Sequence, residues 1–317
     1  MISIVRYSSD KIELWNQFNR QSKNYLFMID RNYMDYHSDR FKDHSLMFYD
    51  DGELIAILPI SEEKKCFISH GGLTYGGFVV NNKLKQHNMN ECFDALIDYA
   101  SENGIEEIYY KTIPHIYHSQ PAEEDKYSLF INKAIPFKIE ASTVINLKNP
   151  LKMPKGRKAQ INRAKREGTI IEERSSLQDF CKFINLENDI LRSRHNTTAV
   201  HTAEELKMLH DKFPQNIHLY VAIYGSEIIA GTVVYEYIDV IHTQYMAAND
   251  IARKIGALDL TIAYVIDKYE EEKKWLDFGI STENGGKYLN QGLISQKEGF
   301  GGRTCVYETW KVDVKNT

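Results

Sequence analysis

The stretch 218–302 constrains the fold more than any other part of the chain. HLYVAIYGSEIIAGTVVYEY places two apolar runs on either side of Gly225-Ser226, the signature of a β-hairpin. VIHTQYMAA follows as a third strand and NDIARKIGA as a glycine-containing loop. LDLTIAYVIDKYEEE then reads as a helix whose Leu258, Ile262, Val265, Ile266 and Tyr269 share one apolar face. WLDFGIS closes the run as a strand. Strands and a helix alternating in this way point to a mixed α/β layer structure.

The same order occurs in the first half of the chain. SLMFYDDGELIAILPIS is a hairpin turning at Asp51-Gly52, FISHGGLTYGGFVV is rich in glycine, NMNECFDALIDYASENG is a helix, and IEEIYYKTI is a strand. The expected architecture is α/β, a mixed α+β sheet, in two structurally related domains over 1–150 and 151–317. Local signals refine it. Asp10 is the expected N-cap of a helix carrying Ile12, Trp15 and Phe18, and 25–37 reads as a second helix. Asn90 is expected to cap the helix that Gly104 ends, and Thr202 with Glu205 forms a capping box.

A formal charge of −5 and 26% charged residues give no general affinity for nucleic acid. The opening MISIVRYSSDKIELW has acids early and no apolar core, so no signal peptide is expected. The longest apolar stretch, 219–241, is broken by Glu227, Glu236 and Asp239, so no membrane span is expected. The four cysteines lie far apart, as free thiols in a reducing cytoplasm would. The histidines are scattered without metal-ligand spacing, so no metal is expected.

Several groups can carry chemistry. The loop 249–257, at a helix N-terminus, offers Arg253, Lys254 and the backbone of Ile255, Gly256 and Ala257 to an anion such as a pyrophosphate. Alternation along 240–247 puts Val240, His242, Gln244 and Met246 on one face of a strand and Ile241, Thr243, Tyr245 and Ala247 on the other. His242 is a candidate general base and Gln244 a candidate substrate contact, since an unperturbed imidazole pKa near ~6.5 suits deprotonation of an ammonium. Arg194, His195 and His201 lie in a polar connection suited to an acceptor's phosphate or hydroxyls. The basic run 152–166, with Lys155, Arg157 and Arg163, lies between the two expected domains, where ligands commonly bind. Asp277 points opposite to Leu276 and Phe278, and Lys297 precedes a glycine-rich turn where it can stabilise charge on an acyl oxygen.

WLDFGIS, LNQGL and KEGFGG together resemble the C-terminal signature of FemAB-like acyltransferases of the GNAT superfamily. YLFMIDRNYM, GELIAILPI, GGLTYGGFVV, RKAQINRAKREG and HLYVAIYGSEIIAGTVVY agree with it, so the resemblance covers nearly the whole chain. It implies two tandem GNAT-like domains with the acceptor in a cleft between them. Arg253 and Gly256 match the family's R/Q-x-x-G-x-G/A donor motif, with Leu258 at its last position. The implied donor is acetyl-CoA or another acyl-CoA, held along 253–257, with a strand amide near Met246 and Lys297 holding the oxyanion. Fem-type members use aminoacyl-tRNA instead, and their motif lysine matches Lys297.

The resemblance therefore implies a cytoplasmic N-acyltransferase acting on an amine of a cell-envelope precursor, such as a nucleotide-linked amino sugar. His242, or Asp277 through water, would take the proton. Aminoacyl transfer from tRNA to a peptidoglycan precursor is the alternative within enzymes, and a non-catalytic GNAT-like domain that only binds a precursor is the alternative outside them. The oligomeric state is left open.

Overall fold

A computed structural model describes residues 2–195 and 197–315, the side chains of Arg194 and His195 excepted. The chain forms two compact units. Unit 1 comprises 1–141, 282–288 and 306–317, and unit 2 comprises 142–281 and 289–305. The expected division at 150/151 differs from this one because the chain returns to unit 1 at 282–288 and 306–317, where Val312 and Val314 join its core.

Unit 1 contains strands β1 (Ile2–Arg6), β2 (Leu46–Asp50), β3 (Glu53–Leu58), β4 (Ser61–Glu63), β5 (Cys66–Ile68), β6 (Val79–Val80) and β7 (Glu107–Lys111). Its helices are α1 (Ile12–Arg20), α2 (Arg31–Met34), α3 (Gln86–Glu102) and α4 (Glu124–Ile131). β1, β2, β3 and β6 form an antiparallel sheet, and the β2–β3 hairpin turns at Asp51 and Gly52, both with positive φ. Three sequence expectations are corrected here. A 3-10 turn at Ser9–Lys11 moves the cap of α1 to Lys11, because the Asp10 carboxylate is taken up by Ser8 and Lys11. Stretch 25–37 is three short turns, because extended Asp30 caps Asn32 and interrupts the helix. Likewise α3 starts at Gln86, so Asn90 lies inside it and bonds Gln86 and Ser128.

β8 (Ile135–Asn146) leads into unit 2, which contains α5 (Lys155–Arg166), β9 (Ile170–Arg174), α6 (Leu177–His195), α7 (Ala203–Lys212), β10 (Ile217–Tyr224), β11 (Glu227–Glu236) and β12 (Val240–Ala248). After these come α8 (Asp250–Ile255), α9 (Ala257–Tyr269), β13 (Trp275–Ile280), the two-residue strands β14 (Thr282–Glu283) and β15 (Tyr288–Leu289), α10 (Gln291–Glu298) and β16 (Arg303–Asp313). The sheet of unit 2 runs β8-β13-β12-β11-β10-β9. Only the β12–β13 pair within it is parallel. The Thr202–Glu205 capping box opens α7, with both reciprocal hydrogen bonds formed.

α9 is buried on two sides. Ile262, Val265, Ile266 and Tyr269 pack on the sheet, while Leu260 and Ala263 meet Ile161 and Ala164 of α5. α5 has little else that is apolar, so its docking depends on close approach. Gly256, between α8 and α9, provides that approach. Its φ is 84°, and a Cβ there would lie 2.5 Å from the Gln160 carbonyl oxygen. Gly225, at the β10–β11 turn, has φ 63° and open space around it. Gly256→Ala is therefore expected to lower the unfolding free energy by roughly 2–4 kcal/mol, and Gly225→Ala by only about 1 kcal/mol. Urea denaturation of the two variants measures this, and equal losses would refute the close-packing account.

Candidate active site

β12 does not alternate regularly. Val233 pairs with Tyr245 and Val234 with Thr243, so Gln244 is an extra residue, a β-bulge. The bulge reverses the alternation beyond it. Met246 accordingly joins Ile241 in packing toward α9, while His242 shares its face with Tyr245. This corrects the expectation that His242, Gln244 and Met246 form one face. The pattern of side chains could not reveal the extra residue, since both phases carry polar and apolar groups.

At the same place β12 and β13 part. Their parallel pairing covers Val240↔Trp275, Ile241↔Leu276 and His242↔Asp277, although β12 runs on to Ala248 and β13 to Ile280. Gly279, at φ 71°, turns β13 out of line, and the His242 ring lies 3.3 Å from where a Cβ would sit. Fully buried Asp277 accepts hydrogen bonds from Ser142 Oγ (2.5 Å) and the Gly279 N–H (2.9 Å). His242 Nδ1 stands 3.4 Å from its carboxylate. Lys297, also buried, donates from Nζ to the carbonyls of Gly279 (2.9 Å) and Ile280 (2.7 Å). Burial pulls the Lys297 pKa down to about 8, against the opposing pull of the Asp277 charge. The fold thus brings His242, Asp277 and Lys297 into one cluster at the point where the strands separate.

A cavity of about 470 Å³ lies in unit 2. Of the expected donor residues, Met246, Arg253 and Gly256 line it, together with Arg157 from the basic run, Glu187 and Leu191 of α6, and Gln296 of α10. His242, Asp277 and Lys297 are not among its lining residues. The expected loop 249–257 is for the most part α8, because Asn249 caps it through the Ala252 N–H. The amides of Arg253 and Gly256 are engaged with the carbonyls of Asn249 and Ala252. Ile255 and Ala257 are core residues, Lys254 is exposed, and Arg253 pairs with Asp250 at 3.0 Å. Gly256 serves the packing of α5, so the space it leaves is filled by Gln160.

The expected acceptor residues are dispersed. Arg157 forms an ion pair with Asp259, donates to the Gln296 carbonyl at 2.8 Å, and lies over the Phe300 ring at 4.2 Å. It is a clamp between α5, α9 and α10. Lys155 is exposed and Arg163 half-buried on α5. His201 Nδ1 meets the Tyr245 hydroxyl at 2.6 Å. Gln244 is half-buried at the bulge, and the side chains of Arg194 and His195 lie outside the described residues. Among the described residues no group of His, Cys, Asp and Glu is arranged to hold a metal, and the four cysteines are unpaired.

Sequence reasoning missed Glu187. It is buried in the cavity wall, and desolvation raises its pKa to about 7. The signal was available in the helix period. Phe180, Phe183, Ile184 and Leu191 form the inward stripe of α6, and Glu187 falls within it.

Residues 155–288 match the model of the acetyltransferase (GNAT) domain. No curated protein sequence matches the chain. Among solved structures it is similar to FemX, at 11% identity over 96% of both chains with a TM-score of 0.65. It is similar to L-PGS from Bacillus licheniformis at 14% identity, over 98% of this chain and 94% of that one, with a TM-score of 0.66. A tandem GNAT protein from the clavulanic acid biosynthesis pathway aligns over 99% of both chains at 10% identity, with a TM-score of 0.54. Identities this low speak for the fold alone, and the family model carries the chemistry. The match over 155–288 and the shared fold together support an acyltransferase with a FemAB-like GNAT fold.

Proposed function

We propose that the protein transfers an acyl group from acyl-CoA to a primary amine of a cell-envelope precursor, such as a nucleotide-linked amino sugar, in the cytoplasm. The observation that carries this reading is the parting of β12 from β13 beside the Gln244 bulge, with a cavity along the same strand. Separated strands leave backbone groups of β12 without a ladder partner, and such groups can bind an extended donor and the oxygen of its carbonyl. The cavity volume of about 470 Å³ is in the ordinary range for small-molecule sites. Arg253 on its wall supplies positive charge for a donor's phosphates. The FemAB-like fold supports an envelope precursor as acceptor, and among the described residues no helix is long and apolar enough to cross a membrane.

In this reading the amine nitrogen attacks the thioester carbonyl carbon, the C–S bond breaks, and the thiolate leaves. The ammonium proton passes through water to His242, which Asp277 orients. Lys297 has three N–H donors and uses two on the carbonyls of Gly279 and Ile280, which leaves the third to serve the oxyanion. Met246 and the strand amide beside it line the donor's path.

A second reading is supported by α5. Lys155, Lys158, Lys165 and Arg166 are exposed there, and such a basic face suits the backbone of an aminoacyl-tRNA donor. Acetyl-CoA and aminoacyl-tRNA offered in parallel, each with a radiolabelled acyl group and amine acceptors, separate the two. Transfer from acetyl-CoA unaffected by tRNA supports the first, and transfer from aminoacyl-tRNA alone overturns it.

The roles of the cluster give two further expectations. His242→Gln is expected to lower kcat by about 10²–10⁴-fold, with partial recovery on adding imidazole. Full activity in this variant would remove His242 as the base. Lys297 bears its charge below a pKa of about 8 and loses it above. The rate should therefore fall as pH rises through about 8, and Lys297→Arg, which stays charged, should shift that fall to higher pH. An unchanged profile in Lys297→Arg would exclude the ammonium from the oxyanion role.

A further inference from the structure

We infer that Glu187 anchors a primary alkylammonium group inside the cavity of unit 2. The inference names the class of substrate at that site and so rests on the acyl-transfer reading.

Glu187 occupies a position on α6 where the helix otherwise presents Phe180, Phe183, Ile184 and Leu191. The residue is buried, at 8% exposure. Among the described residues no hydrogen bond or ion pair holds its carboxyl. Burying a carboxylate without a partner costs several kcal/mol, and apolar residues would fill the same stripe at no such cost. A ligand of opposite charge is the physical compensation the site lacks. The cavity wall itself does not supply it, since among the described residues neither of its arginines pairs with Glu187. Arg157 is held by Asp259 and the Gln296 carbonyl, and Arg253 by Asp250. The Tyr245 hydroxyl, which feels the Glu187 charge, meets His201.

The ligand's chemistry follows from the neighbours. A primary ammonium brings a compact charge and three N–H donors to a carboxylate that has only acceptors. Ile190, Leu191 and Met246 on the same wall give apolar contact for methylene groups behind it. Burial alone holds the Glu187 pKa at about 7, so a bound cation would draw the group fully into its charged form near neutral pH. Two substrates can present such a group: an acceptor amine, or the α-ammonium of an aminoacyl donor.

The test uses the full chain labelled with ¹³C at glutamate Cδ, with the Glu187 resonance assigned by its absence from Glu187→Gln. Titration with n-butylammonium chloride at pH 7 is expected to shift that resonance saturably, while n-butanol and potassium chloride do not. Glu187→Gln is expected to weaken butylammonium binding by roughly tenfold to a hundredfold. An unmoved resonance, an equal shift with either control, or undiminished binding by the variant overturns the proposal. If Glu187→Gln does not fold, Glu187→Asp, which also lacks a glutamate Cδ at 187, assigns the resonance and the wild-type titration with its controls decides. Steady-state kinetics then locate the group. A higher KM for the amine in Glu187→Gln with acetyl-CoA as donor assigns the ammonium to the acceptor, and a higher KM for an aminoacyl donor alone assigns it to the donor. Failure of every donor would refute acyl transfer while the titration still judged Glu187.

Discussion

The bend in β13 at Gly279 is the constraint on which the site depends. Asp277 takes the Gly279 amide and Lys297 takes the carbonyls of Gly279 and Ile280, so these peptide groups are satisfied by side chains and not by β12. A strand whose polar groups are met elsewhere has no reason to stay in the ladder, and β12 and β13 separate. Glycine is favoured at 279 because φ is 71°, and a Cβ there would press on the His242 ring at 3.3 Å. Both ions are buried, so each requires the other's field and the hydrogen bonds around it. The cluster that positions the strands is thus the same one that the proposed chemistry uses.

Around this centre, unit 2 answers its buried charges one by one. Lys273 caps the Tyr237 carbonyl and pairs with Glu236, which also meets His218. Burial works against the His218 charge, but bonds to Glu236 and Glu173 outweigh it and its pKa is raised. Arg157 is neutralised by Asp259 while joining three helices. Glu187 differs, as a buried carboxyl in a cavity wall with no cation paired to it among the described residues.

Much of this was legible in the sequence. The Asp51-Gly52 and Gly225-Ser226 hairpins, the Thr202 capping box and the apolar face of α9 are local, because each depends on residues within a few positions of one another. The resemblance of WLDFGIS and KEGFGG to the FemAB-like signature reached the fold as a whole. The donor loop was harder. A glycine with two cations at a helix start suggests an anion site, yet Asn249 turns most of that loop into α8 and Gln160 occupies the space beside Gly256.

By itself, then, the sequence determined the order of strands and helices, their caps and turns, and which helix faces are apolar, since those follow from backbone preference and period along the chain. The tertiary structure alone decided that β12 carries an extra residue at Gln244, that β13 leaves it after Asp277, and that Arg157 is bound to Asp259. It also decided that Glu187 faces a cavity, with no counter-ion among the described residues. Strand register, close approach and the pairing of charges depend on what another segment brings alongside, and no window of the chain contains both partners.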